Sequence, residues 1–128
     1  MTTSPEALMT YASEQAAEAD EPSKRGTISR AYYASYHRCL RLEGAPASRR
    51  NAKQPGGGVH QQLIERLIAR SHAGTPKQRR QGKLLANLML RQRKRRVTAD
   101  YFLDEDLKPN DVENQIADAR KLFAACDW

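Results

Sequence analysis

Residues 28–40, Ile28-Ser29-Arg30-Ala31-Tyr32-Tyr33-Ala34-Ser35-Tyr36-His37-Arg38-Cys39-Leu40, decide the fold class. Ile28, Tyr32, Tyr36, Cys39 and Leu40 recur at steps of three and four, which gathers them on one side of an α-helix. At about 100° per residue, seven steps return to within about 20°, so Arg30 and His37 share another side, about 10.5 Å apart along the axis. Tyr33 and Ala34 lie between them on that side. One side of this helix packs and the other carries a cation and an imidazole. For the tyrosines, core packing is the ordinary role of an aromatic ring with a polar tip.

The same period runs outward in both directions, and no segment shows sustained two-residue alternation, so the class is all-α, an antiparallel bundle of about five helices. A first helix starts at Thr3 or Ser4, with Pro5 in its first turn and Glu6 three after Thr3, and runs to about Ala19 with Leu8, Met9, Ala12 and Ala16 inward. The second opens after Pro22 with Ser23 as cap and stops at Gly44. Residues 45–58, which carry Arg49, Arg50 and Lys53 and end in Pro55 and three glycines, read as a flexible basic loop. A third helix points Val59, Leu63, Leu67, Ile64 and Ile68 inward. The fourth runs from Pro76 or Lys77 to about Asp104, weakened at Gly82 and closed by Tyr101 and Phe102. Asn110 caps the fifth, with Glu113 three residues later.

A chain of 128 residues has the length of one domain, residues 1–128, and excludes an enzyme with a separate cofactor domain. Its 22 Lys and Arg against 15 Asp and Glu give a net charge of +7. That excess is central: residues 1–21 sum to −5, 22–76 to +8, 77–96 to +9 and 97–128 to −5. A basic middle gathered onto one face suits phosphate. The run Arg91, Arg93, Lys94, Arg95 and Arg96, extended by Arg79, Arg80 and Lys83, can track an RNA backbone. Ion pairs to the acidic ends would look the same in sequence.

No apolar run approaches the roughly 18 residues of a membrane span, and the first residues lack the basic and apolar regions of a secretion signal. A cytoplasmic protein is expected. Cys39 and Cys126 are then reduced, packed thiols. With three scattered histidines they show no paired ligand spacing, so no metal site and no cofactor are expected. His60 opens the third helix, where it packs or caps, and His72 sits in a loop.

An imidazole exchanges a proton near neutral pH and a guanidinium holds phosphate through two parallel hydrogen bonds. Arg30 and His37 therefore have the parts for phosphodiester cleavage without metal. His37 would move a proton to or from the 2′-OH or the leaving 5′-oxygen, while Arg30 would orient the scissile phosphate. One imidazole serves one proton transfer at a time, so a second copy of the helix in a symmetric dimer makes a fuller site. Asp100 could orient Arg30 or His37 and Tyr101 could cap the same face; a structural hydrogen-bond cluster between helices is the competing reading.

SRAYYASYH at residues 29–37 resembles the second-helix signature of the HEPN family of small helical-bundle proteins. VHQQLIERL at 59–67, RRVTADYF at 95–102 and the final amphipathic helix agree with that family in order and spacing, so the resemblance spans about residues 4–126. It implies a metal-independent endoribonuclease of toxin–antitoxin or antiviral defence type, with the active site formed across a homodimer and an antitoxin or nucleotidyltransferase as a possible partner. A non-catalytic module that binds RNA or nucleotide, or docks a partner, is the alternative. Arg30 and His37, with six residues between them, match the family's Arg-to-His motif, and Tyr33, Asp100 and Tyr101 would support it. In the better characterised toxins the motif lies late in the chain, and a Tyr two residues after the His is the position modified by the antitoxin. Here Cys39 stands there, and the late stretch Arg96 to Tyr101 has no His.

Overall fold

The computed structural model describes residues 2–18, 20–44 and 58–128. They form five α-helices and no strand: α1 (Pro5–Gln15), α2 (Glu21–Glu43), α3 (Val59–Arg70), α4 (Pro76–Tyr101) and α5 (Asp111–Cys126). The expected basic loop lies outside the described residues except for Gly58. None of the helices is long and apolar enough to cross a membrane.

Local chemistry sets the helix ends, and several ends differ from the sequence expectation. Ser4, one of the two starts expected, caps α1 by accepting from the Ala7 amide at 3.0 Å, and the helix stops at Gln15, short of Ala19. Asp20 rather than Ser23 caps α2, accepting from the Ser23 amide at 3.0 Å; a carboxylate there also meets the positive end of the helix dipole. Gly44 ends α2 at φ +82°, a conformation that costs glycine no steric clash. A reciprocal box between Thr75 and Gln78 starts α4. That helix ends at Tyr101, not Asp104, because Arg25 of α2 reaches across and donates to the carbonyls of Thr98 (3.1 Å), Ala99 (3.3 Å) and Phe102 (3.3 Å). An arginine from elsewhere in the chain thus satisfies carbonyls that a helix end leaves open.

α2 is the central helix and packs against α1, α4 and α5, while α3 packs on α4. Tyr32, Tyr36, Cys39 and Leu40 enter the main core with Leu63, Ile64 and Leu67 of α3 and Leu85, Leu88 and Met89 of α4. A second cluster of Met9, Ala12, Ala31, Ala34, Ile116 and Ala119 joins α1, α2 and α5, its alanines allowing close approach. Val59 and Ile68, expected inward, are exposed. Cys39 and Cys126 are buried and unbridged.

Several polar side chains in this interior are hydrogen-bonded to main-chain or side-chain groups, as burial favours. The Gln115 amide of α5 donates to the carbonyls of Ile28 in α2 and Gln92 in α4, both at 3.1 Å. Gln92 in turn accepts from Ser35 at 2.8 Å.

Gly82 does more than loosen α4. A Cβ there would stand 2.8 Å from the Ser71 nitrogen and 2.9 Å from the Arg70 carbonyl carbon and Cβ, so the start of α4 meets the end of α3 with no room for a side chain at Gly82. Helix propensity favours alanine by about 1 kcal/mol, whereas overpacking a rigid contact costs about 1–3 kcal/mol. Gly82→Ala is expected to lower the urea midpoint of unfolding; a raised midpoint would show that the contact yields freely.

Candidate functional site

A cluster of rings and cations forms where α2 meets the start of α3 and the last turns of α4. His37 is exposed, its ring edge-on to Tyr36 at 5.2 Å and 79°. Tyr36 is buried and touches His60 at the start of α3, with ring centres 4.7 Å apart. His60 also packs on Tyr32 and Tyr33, and its Nδ1 lies 2.9 Å from the Tyr32 hydroxyl. Burial pushes the Tyr32 phenol well above its ordinary pKa, so it stays protonated. With that phenol as donor, His60 is the Nε2–H tautomer.

Close to His60 lies Arg96. Its guanidinium donates to the Tyr33 hydroxyl at 2.7 Å and to the Tyr101 hydroxyl at 3.4 Å, and pairs through Nε with Asp100 at 2.8 Å. The guanidinium carbon sits 5.2 Å from the Tyr33 ring centre and 5.1 Å from that of Tyr101, within cation–π range. Asp100 also accepts from Ser29 at 3.1 Å. Burial works against the Arg96 charge, but Tyr33, Tyr101 and Asp100 outweigh it and raise its pKa.

The site residues expected from sequence separate into groups. Tyr33, Asp100 and Tyr101 meet around Arg96, so Asp100 orients neither Arg30 nor His37. Arg30 turns toward α1, where it donates to the Gln15 side-chain oxygen at 2.8 Å and lies 4.8 Å from the Tyr11 ring centre. The run from Arg91 to Arg96 divides among several partners within the chain. Arg91 and Arg95 both pair with Asp118 of α5, at 2.6 and 2.8 Å. Burial alone would raise the Asp118 carboxyl, and those two arginines outweigh it to hold the pKa below the usual value. Arg93 donates to Gln61 at 2.7 Å, Lys94 points to solvent, and Arg96 is buried.

His60 is the member that sequence reasoning underweighted: a histidine one residue into a helix has an ordinary packing role, and its three tyrosine neighbours converge only in space. Among the described residues, no group of three or more His, Cys, Asp or Glu is arranged to hold a metal ion.

Both clustered histidines are neutral at pH 7. Burial lowers the His37 pKa. Burial, then the charges of Arg96, Arg93 and His37, lower that of His60 to about 4. The cluster can therefore accept a proton at an exposed imidazole and offer an N–H from a second, beside fixed positive charge. No family model, curated protein or solved structure matches the chain.

The depressed pKa values set a pH dependence. Between about 6.5 and 4 the unfolded chain binds protons that folded His60 refuses, so their contribution to stability is complete above that window and is lost as pH falls through it. The urea midpoint of the wild type is expected to drop between pH 7 and pH 5, and His60→Gln to drop less; equal slopes would remove His60 as the cause.

Proposed function

We propose that this chain is a HEPN-like endoribonuclease that cleaves RNA without metal, as a symmetric dimer of antiparallel helical bundles acting in the cytoplasm. The observation that carries the reading is the exposed, neutral imidazole of His37 on the side of α2 that it shares with Arg30. A neutral imidazole can take the proton from a ribose 2′-OH as that oxygen attacks phosphorus. The P–O5′ bond then breaks, the proton passes to the leaving 5′-oxygen, and a 2′,3′-cyclic phosphate and a 5′-hydroxyl result. Arg30 would leave Gln15 to hold the scissile phosphate, and Arg93 adds positive charge near His60. Tyr33, Tyr101 and Asp100 act through Arg96, as positioning residues.

The reading includes two copies per active unit and an antitoxin or nucleotidyltransferase partner. It does not include inactivation by tyrosine modification two residues after His37, since that position holds the buried Cys39.

A second reading, a module that binds RNA or docks a partner without cleaving, is favoured by the engagement of Arg30 with Gln15 and Tyr11. Labelled RNA incubated in EDTA separates the two. The first expects cleavage to a 2′,3′-cyclic end, lowered at least about 100-fold by His37→Ala or Arg30→Ala with the helical circular dichroism unchanged. Unaltered cleavage by His37→Ala, or cleavage that needs added metal, rejects it. Salt-sensitive RNA binding with no cleavage supports the second.

A further inference from the structure

Cys39 of α2 and Cys126 of α5 take no part in the proposed chemistry, yet the fold brings the two thiols together in one core cluster. Their neighbours in sequence meet as well: Arg38 donates to Asp127 at 2.6 Å. On the other side of Cys126, Gln81 of α4 donates to the Ala125 carbonyl at 2.8 Å. The end of α5 is thus pinned before and after Cys126, and between those anchors the Cys39 thiol donates a hydrogen bond to the Cys126 sulfur.

Cysteine is among the most buried residue types, so two in contact are ordinary packing when they are alike. These two are not alike. Cys39 is wholly enclosed, and its hydrogen bond to Cys126 together with burial raises its pKa. Cys126 is 5% exposed and is the last residue of its helix. The bond from Cys39 and the charges of Arg38 and Arg70 lower its pKa, against the opposing effects of burial and Asp127. The outer sulfur is therefore the readier thiolate, and a protonated thiol waits behind it. A thiolate beside a second cysteine is the arrangement that oxidants select. Two thiols are too few for a zinc site, and among the described residues no third side chain completes one.

We infer that Cys39 and Cys126 form a peroxide-responsive thiol pair, reduced at rest and joined by a disulfide on oxidation. The Cys126 thiolate attacks hydrogen peroxide: an S–O bond forms, the O–O bond breaks, and the hydroxide that leaves takes up a proton as water. Cys126 is then a sulfenic acid, oxidised by two electrons, and the peroxide is reduced. Next the Cys39 sulfur attacks the Cys126 sulfur and gives up its proton. The S–S bond forms, the S–O bond breaks, and the departing hydroxide joins that proton as a second water. Two thiols and one peroxide become one disulfide and two waters.

Peroxide is small, and the cover over Cys126 includes an ion pair whose Asp127 side chain is 76% exposed. Such a pair opens readily. Because the sulfurs are already hydrogen-bonded, a bond of about 2 Å asks for adjustment at the end of α5 and not for the helices to part. The product ties α5 to α2 and restricts the unfolded chain. None of this depends on the ribonuclease reading.

Intact mass and thiol titration of the full chain, reduced and then given a few equivalents of hydrogen peroxide, test this. Both thiols are expected to disappear together, with a single-chain mass lower by two hydrogens, a proteolytic fragment linking Cys39 to Cys126, and full reversal by dithiothreitol. The urea midpoint of the wild type is expected to rise on oxidation. In Cys39→Ser the sulfenic acid on Cys126 has no thiol to resolve it and is trapped by dimedone, whereas in Cys126→Ser the thiol at 39 reacts at least about tenfold more slowly. Wild-type thiols that stay reduced, a disulfide formed only between chains, or a urea midpoint that falls on oxidation overturns the inference, and these readouts need no variant. Faster reaction at Cys39 than at Cys126 overturns it too, because the outer thiolate would not be the one attacked.

Discussion

The charge of Arg96, held inside the protein, is the constraint around which the chemistry-bearing half of the molecule is arranged. A guanidinium cannot shed its proton at any ordinary pH, so burying it obliges the neighbourhood to supply acceptors and π-faces. Tyr33 from α2 and Asp100 and Tyr101 from α4 do so, and Asp100 also ties back to Ser29. The positive charge is therefore fixed against α2 between Ser29 and Tyr33, close to His60. It is one reason why His60 stays neutral. Removing an acceptor would leave a charge stranded out of water, which is more disruptive than losing an ordinary surface pair.

That arrangement divides the basic residues by purpose. The run from 91 to 96 is continuous in sequence, but a helix sends successive side chains about 100° apart. Arg91 and Arg95 therefore turn to Asp118, Arg93 to Gln61, Arg96 inward and Lys94 to solvent. Arg91 and Arg95 thus share the single carboxylate of Asp118 in the last helix, which offsets one of their two charges, and Arg96 is held inside the protein. Positive charge without a carboxylate partner stays at the beginning of α4, on Lys77, Arg79, Arg80 and Lys83, and at Arg93 and Lys94 nearer the rings.

Periodicity made the core of α2 legible: Ile28, Tyr32, Tyr36, Cys39 and Leu40 are all buried, as their spacing requires. The five helices and their approximate limits follow from the same signal. Helix ends were less readable because they depend on which of several adjacent groups wins. Ser23 and Asp20 both precede α2 plausibly, and Asp20 caps because its carboxylate reaches the amide three residues on. The end of α4 was not readable at all, since the group that terminates it, Arg25, is more than 70 residues away in the chain. In the site, spacing placed Arg30 and His37 on one side of the helix but said nothing of side-chain direction, and Gln15 and Tyr11 draw Arg30 toward α1. His60 acquires its environment from three tyrosines and two arginines on other helices, a sum that no local window contains.

The two hydrogen bonds from the Gln115 amide work as a vernier between helices. One nitrogen reaches a carbonyl of α2 and a carbonyl of α4 at the same distance, so it fixes the longitudinal position of α5 relative to both at once. Sliding α5 by a single helical turn, about 5.4 Å, would keep most of its apolar side covered yet leave this amide with no main-chain oxygen to meet. Apolar packing alone tolerates such shifts; the polar contact does not. The last helix of the chain thus seats in a single register, the one in which α2 and α4 present both carbonyls to it.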